Sequence, residues 1–184
     1  MMNDKEYLNH YESVFAKALH SFLQSKDEVG EMMPDNPDID ERWEGIMQSY
    51  LPDGVREFNG YPMVSLGWMM FVGMAVAQLW DDDWDKYSKV ADLYTMLRDV
   101  RGYDCMDEYI CEEVLKLDAE AAKITSKLVG DASTIAHRSL MHEGFEPGTP
   151  EAFHAYVRVL HQLYLSGAAI QLKRMGYHME QLSL

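Results

Sequence analysis

The sequence is short of three things, and each shortage excludes a class of protein. Cysteine is the first. Cys105 and Cys111 are the only two, and a six-residue spacing in a helical segment turns their side chains to different faces. Both therefore read as free thiols, and no disulfide framework holds the fold. Positive charge is the second: 16 Lys and Arg stand against 31 Asp and Glu, for a net charge of −15. Affinity for a polyphosphate comes from cations that displace counterions, so nucleic acid is excluded as a partner. Sustained apolar/polar alternation with β-branched residues is the third, and without it no sheet is expected. Catalytic signatures are also wanting. There is no Gly-x-Ser-x-Gly and no phosphate-binding glycine loop, and Cys111 is followed by Glu112 and Glu113, which oppose a thiolate. No cofactor is expected.

What is present is apolar: 47% of the 184 residues are hydrophobic. A chain of this length buries roughly 70% of its unfolded surface as one domain and needs no metal or disulfide to fold. No charged residue occurs between Glu57 and Asp81, and residues 63–80 form an 18-residue apolar run. As a helix it would be roughly 27 Å long, just enough to span a bilayer. Its flank of Asp81, Asp82, Asp83 and Asp85, the absence of a Lys/Arg cluster and the internal Gln78 favour a buried central helix instead. The segment Met1-Met2-Asn3-Asp4-Lys5-Glu6 has no basic region leading into an apolar one, so a cytoplasmic location is expected.

The remaining pattern is helical. Tyr7, Leu8, Tyr11, Val14, Phe15, Ala18, Leu19, Phe22 and Leu23 recur at three- and four-residue steps and predict a helix over 4–25. Residues 27–40, acidic and carrying Pro34 and Pro37, read as a loop. A short helix is predicted over 41–51, with Trp43, Ile46, Met47 and Tyr50 on one side, stopped by Pro52-Asp53-Gly54. Asp81-Asp82-Asp83 then caps a helix carrying Val90, Leu93, Tyr94, Leu97 and Val100, which stops at Gly102. Ile110, Leu117 and Ile124 alternate with Val114, Ala121, Leu128 and Ile135 at spacings of seven. This predicts one long helix over 104–143, or two with a bend at Gly130-Asp131. Thr149-Pro150-Glu151 starts the last helix, which carries Phe153, Val157, Leu160, Tyr164, Ala168 and Met175 and leaves a short tail after Gly176. The expected fold is all-α: a single-domain bundle of about six helices, residues 1–184, around the central apolar helix at 63–80.

Three constellations could carry chemistry. His142, Glu151 and His154 flank the predicted hairpin between the last two helices, and Glu151 and His154 have the spacing that sets a carboxylate and an imidazole on one helix face. They are the candidate metal ligands. A di-iron bundle is not supported, because no second Glu-x-x-His exists in the chain. Trp80-Asp81-Asp82-Asp83-Trp84-Asp85 is the candidate partner-binding patch, acidic and flanked by indoles, although helix capping explains its aspartates as well. Met69, Met70 and Met74 beside Gly67 and Gly73 suit either a gap-filling core or an adaptable hydrophobic groove.

The charge is segregated. Residues 1–120 hold 26 acidic and 10 basic residues, whereas residues 121–184 hold 5 and 6. Acidic helices can steer a basic partner, as in an adaptor or in an immunity protein that covers a basic toxin surface. The expectation is a non-catalytic protein–protein interaction module with a basic protein partner, or with a second copy in a homodimer. The alternative is a metal-dependent helical enzyme or a small-molecule binder with its site at the last hairpin.

Overall fold

The computed structural model describes residues 3–177, and they fold as helices around one hydrophobic core. In chain order these are α1 (Asp4–Ser25), α2 (Pro37–Asp40), α3 (Trp43–Gly60), α4 (Pro62–Tyr87), α5 (Leu93–Arg98), α6 (Met106–Tyr109), α7 (Ala119–Glu143) and α8 (Pro150–Arg174). A 3₁₀ turn precedes α6 and a π-helical turn, Ile110–Val114, follows it. No strand forms among the described residues. The tail expected after Gly176 lies, beyond Tyr177, outside them.

The apolar run becomes the buried axis of the bundle. From Leu66 to Leu79 nearly every α4 side chain is enclosed, as a helix that is hydrophobic all round requires. It is long and apolar enough to cross a membrane, yet 72% of its most apolar window is buried by the other helices. Its chief neighbour is α8, which runs parallel to it: Ser65 meets Tyr156, Gly73 meets Tyr164 and Gln78 meets Gln171. Helix α1 is parallel to α8 as well, through Arg158 to Asn9 and Glu12, Gln162 to Glu12, and Arg174 to Glu28. Helices α3 and α7 run the other way. Trp43 packs on Tyr164 while Phe58 packs on Tyr156, and Tyr7 and Tyr11 reach Glu143 and Ser139. The N-terminal ends of α1, α4 and α8 therefore meet the C-terminal ends of α3 and α7.

The backbones of α4 and α8 touch where they cross. A Cβ on Gly73 would stand 2.1 Å from the Tyr164 carbonyl oxygen, and one on Gly167 would stand 2.1 Å from that of Met70. Only glycine fits either position. Gly67 gives a softer version toward α7, where a Cβ would lie 2.8 Å from the Ser133 hydroxyl. Met69, Met70 and Met74 are wholly enclosed beside these contacts, so they fill the core and line no groove.

Five segments depart from the sequence reading. Residues 37–40, read as part of a loop, form the one-turn helix α2, capped by Asn36, which accepts from the Ile39 amide. Helix α3 does not stop at Pro52-Asp53-Gly54 but continues to Gly60, because Asp53 and Gly54 are locked into tertiary contacts that override the proline. Asp81 and Asp82 continue α4, and only Asp83, extended at φ −167°, caps its last turn by accepting from the Lys86 amide. The next helix, α5, is capped by Asp92 instead. Nor does one helix cover 104–143: the chain turns at Lys116, φ 54°, and Asp118 caps a new helix by accepting from the Ala121 amide. That turn resets the seven-residue seam and leaves Ile124 54% exposed. Gly130 sits inside α7 facing open space, and the helix runs through it.

Gly73→Ala and Gly167→Ala should each cost about 3 kcal/mol in urea unfolding, since a carbonyl cannot yield without separating two buried helices. Gly67→Ala should cost about 1 kcal/mol, because the Ser133 hydroxyl can rotate away. Equal losses at the three positions would contradict this ranking.

Candidate functional site

A groove of about 780 Å³ opens at the end of the bundle where α3, α7 and the start of α8 converge. Val55 and Phe58 form its α3 wall, and Leu140 and Met141 the α7 wall. Phe145 and Pro147 come from the connecting loop, and Phe153 and Tyr156 from α8. Asn59, Thr149 and His154 are the polar side chains in its lining apart from the Tyr156 hydroxyl. A groove of this size and lining holds apolar groups and offers few polar anchors.

Local chemistry pins the loop side. Helix α7 ends at Gly144, whose left-handed φ of 69° lets its amide donate back to the Met141 carbonyl. Gly148 also takes a positive φ, of 82°. Thr149 then accepts from the Ala152 amide at 3.2 Å, donates to the Glu146 carbonyl at 2.7 Å, and so joins loop to helix. Phe145 is braced edge-on by Tyr7 and Tyr11 of α1, at 6.2 and 5.2 Å between ring centres.

Behind the groove, Tyr156 joins a buried polar cluster that is satisfied from within. The Ser65 hydroxyl donates to the Gly54 carbonyl at 2.8 Å, which leaves the Tyr156 hydroxyl to donate to Ser65 at 2.5 Å. Tyr50 donates to the Ser65 carbonyl at 2.6 Å. Burial keeps the Tyr156 phenol well above its ordinary pKa, so it stays neutral where it lines the groove. Phe58 lies against that ring at 5.1 Å.

The α3 wall is held by Asp53, which is almost buried. It accepts from the Tyr94 hydroxyl at 2.5 Å and from Arg98 and Arg56 at 3.0 Å each. Burial works to raise its pKa, but the hydrogen bonds from Tyr94 and Arg98 outweigh it and hold the carboxyl below its ordinary 3.8. Arg56 is two-thirds exposed and contributes little, so the clamp is chiefly α3 to α5.

Of the expected metal ligands, His154 lines the groove while His142 and Glu151 are exposed beside it. No three His, Cys, Asp or Glu side chains among the described residues stand close enough to hold a metal ion, so the three do not form a ligand set. His161 lies elsewhere, stacked on Trp43 at 4.8 Å, with burial lowering its pKa. Burial also pushes the Cys111 thiol up to about 11.

The Trp80–Asp85 motif is largely engaged by its own chain. Trp80 donates to Asp38 and packs on Tyr177, whose hydroxyl bonds Asp81. Asp82 accepts from Gln78. Trp84 lies under the Arg42 guanidinium at 5.4 Å, and Asp85 is exposed. Sequence reasoning missed Val55 and Phe58, because a helix taken to end at Pro52 cannot carry a wall three to six residues further on. Comparison of the chain with protein-family models, with curated proteins and with solved structures finds no match.

Asp53→Asn should destabilise the fold by about 2 kcal/mol at pH 7, the cost of weakening a charge-assisted buried cluster. Because the folded pKa lies below 3.8, this stabilisation is complete above that pH and is lost as pH falls through the folded value. The gap between variant and wild type in urea midpoint should therefore start to narrow as pH falls below 3.8 and close only once the pH is below the folded value. A gap that persists there would show that shape, not charge, sets the cost.

Proposed function

We propose that the protein is a non-catalytic interaction module, and that its docking surface is the groove formed by α3, α7 and α8. The observation that carries this reading is the exposed apolar rim. Val55, Met141 and Phe153 remain 41%, 57% and 40% exposed around a cavity whose one buried hydroxyl, that of Tyr156, is already bonded to Ser65. Apolar side chains clustered around a concave surface mark a place where something else is buried.

A second reading, an apolar small molecule held in the same groove, is supported by the volume, which falls in the range of small-molecule sites. It leaves the rim side chains uncovered, whereas a protein segment would cover floor and rim together. The acidic motif at Trp80–Asp85 is the weaker candidate surface, since both of its indoles and two of its carboxylates are occupied by this chain's own side chains.

Affinity capture from native lysate with three baits separates these surfaces: wild type, Phe153→Asp, and a variant with Asp81, Asp82 and Asp83 changed to Lys. The expected result is a set of proteins retained by the wild type and by the lysine variant and lost with Phe153→Asp. Retention by Phe153→Asp together with loss in the lysine variant would move the docking surface to the acidic motif and refute the groove.

A further inference from the structure

Past the groove, the surface runs from Met141 along α7 by the polar side chains His137 and Thr134 to the exposed apolar Met63 and Tyr61. The His137 ring meets Phe58, and the Thr134 hydroxyl meets the Met63 sulfur at 3.9 Å. Thr134 and Met141 are seven residues apart, roughly 10 Å along the helix. At that far end Met63 and Tyr61 are 44% and 68% exposed. A small molecule filling the groove would leave this extension bare. An occupant two to three helical turns long would cover both.

The edge made by the α7–α8 loop is acidic. Tyr7 packs on Phe145 and bonds Glu143, and its phenol is held above its ordinary pKa by that bond, then by burial and by the charges of Glu143 and Glu151. Both carboxylates therefore stand at this edge, and Glu146 follows Phe145 directly. Neither Glu146 nor Glu151 makes an ion pair among the described residues. Between residues 138 and 154 the chain sets these three glutamates against the single cation Arg138. A second copy docked groove to groove would bring its own glutamates against them, on a chain already at −15. A cationic occupant gains where a second copy loses.

We propose that the groove and its extension receive an amphipathic helix of another protein, its apolar side chains between Phe58 and Phe153 and its lysines or arginines along Glu143, Glu146 and Glu151. This rests on reading the groove as the docking surface.

The test uses a labelled helical peptide of about 18 residues, leucine on one face and lysine on the other, and a twin with glutamate in place of lysine. Each is titrated with the full chain by fluorescence anisotropy at physiological ionic strength. The lysine peptide should bind at least about tenfold more tightly than its twin, and Glu146→Lys/Glu151→Lys should weaken it by about fivefold. Met141→Asp/Phe153→Asp should weaken it by at least about tenfold. That variant is the more negative protein, so diffuse attraction alone would tighten binding. Val55→Asp on the opposite wall should reproduce the loss should the double variant fold poorly. Equal affinity for the two peptides overturns the cationic helix and leaves the docking surface standing. Unchanged or tighter binding by both groove variants overturns the docking surface itself. A dimer in sedimentation that the groove variants dissociate would assign the groove to a second copy and refute the proposal.

Discussion

The rest of the structure hangs on the backbone contact between α4 and α8. Gly73 and Gly167 each face a carbonyl of the other helix, so the two axes approach as closely as side-chain-free positions allow. Such a contact fixes the register of two parallel helices more firmly than interdigitating leucines, which can repack. Ser65 with Tyr156 lies on one side of the crossing and Gln78 with Gln171 on the other. With that register set, the start of α8 lies alongside and just beyond the start of α4. The α8 side chains there have no central helix to cover them. Phe153 is exposed for this reason, and the ends of α3 and α7 close around it only in part.

The polar interior serves the same geometry. Ser65 is the one hydroxyl near the start of α4, and it ties three helices at one point: Gly54 of α3, Tyr156 of α8 and, through its carbonyl, Tyr50. Each donor has an acceptor, so this cluster adds direction without leaving an unsatisfied group buried. Asp53 stands one residue from Gly54 and is clamped from the other side by Tyr94 and Arg98. A proline in the interior of a helix removes a hydrogen bond and crowds the preceding turn. The two clusters flanking Pro52 offset that cost and carry α3 on to the groove.

Much of the fold was legible where one helix face repeats over several turns. The α1 stripe predicted its bounds, and the apolar run predicted a buried axis, because these signals depend on periodicity and burial alone. What stayed hidden was set by contacts distant in sequence. Pro52 reads as a stop until Tyr94 is known to hold Asp53 and Tyr156 to pack against Gly54 just beyond it. The spacing of seven from Ile110 through Leu117 to Ile124 imitates a seam, although the chain turns between them. Asp118, a good N-cap, was the overlooked signal. The hairpin between α7 and α8 drew notice in the sequence, and the groove opens beside it. Its chemistry was not legible, because histidines draw attention whereas Phe145, Phe153 and Tyr156 read as ordinary core.

Charge segregation along the chain takes on meaning once the helices are arranged. An apolar groove cannot have ionised groups in its floor, because desolvating them costs more than a partner returns. The near-neutral part of the chain, residues 121–184, supplies α7, α8 and their loop, which make up most of the lining. Its few acids are not scattered evenly: Glu143, Glu146 and Glu151 fall within nine residues at one edge. Charges at an edge remain hydrated in the free protein, and in the proposed complex they exchange that water for the partner's cations at little cost and bias which helix lies in the groove. In the proposed complex, apolar contact supplies affinity and the rim supplies selection. The two are separable because they reside in different residues.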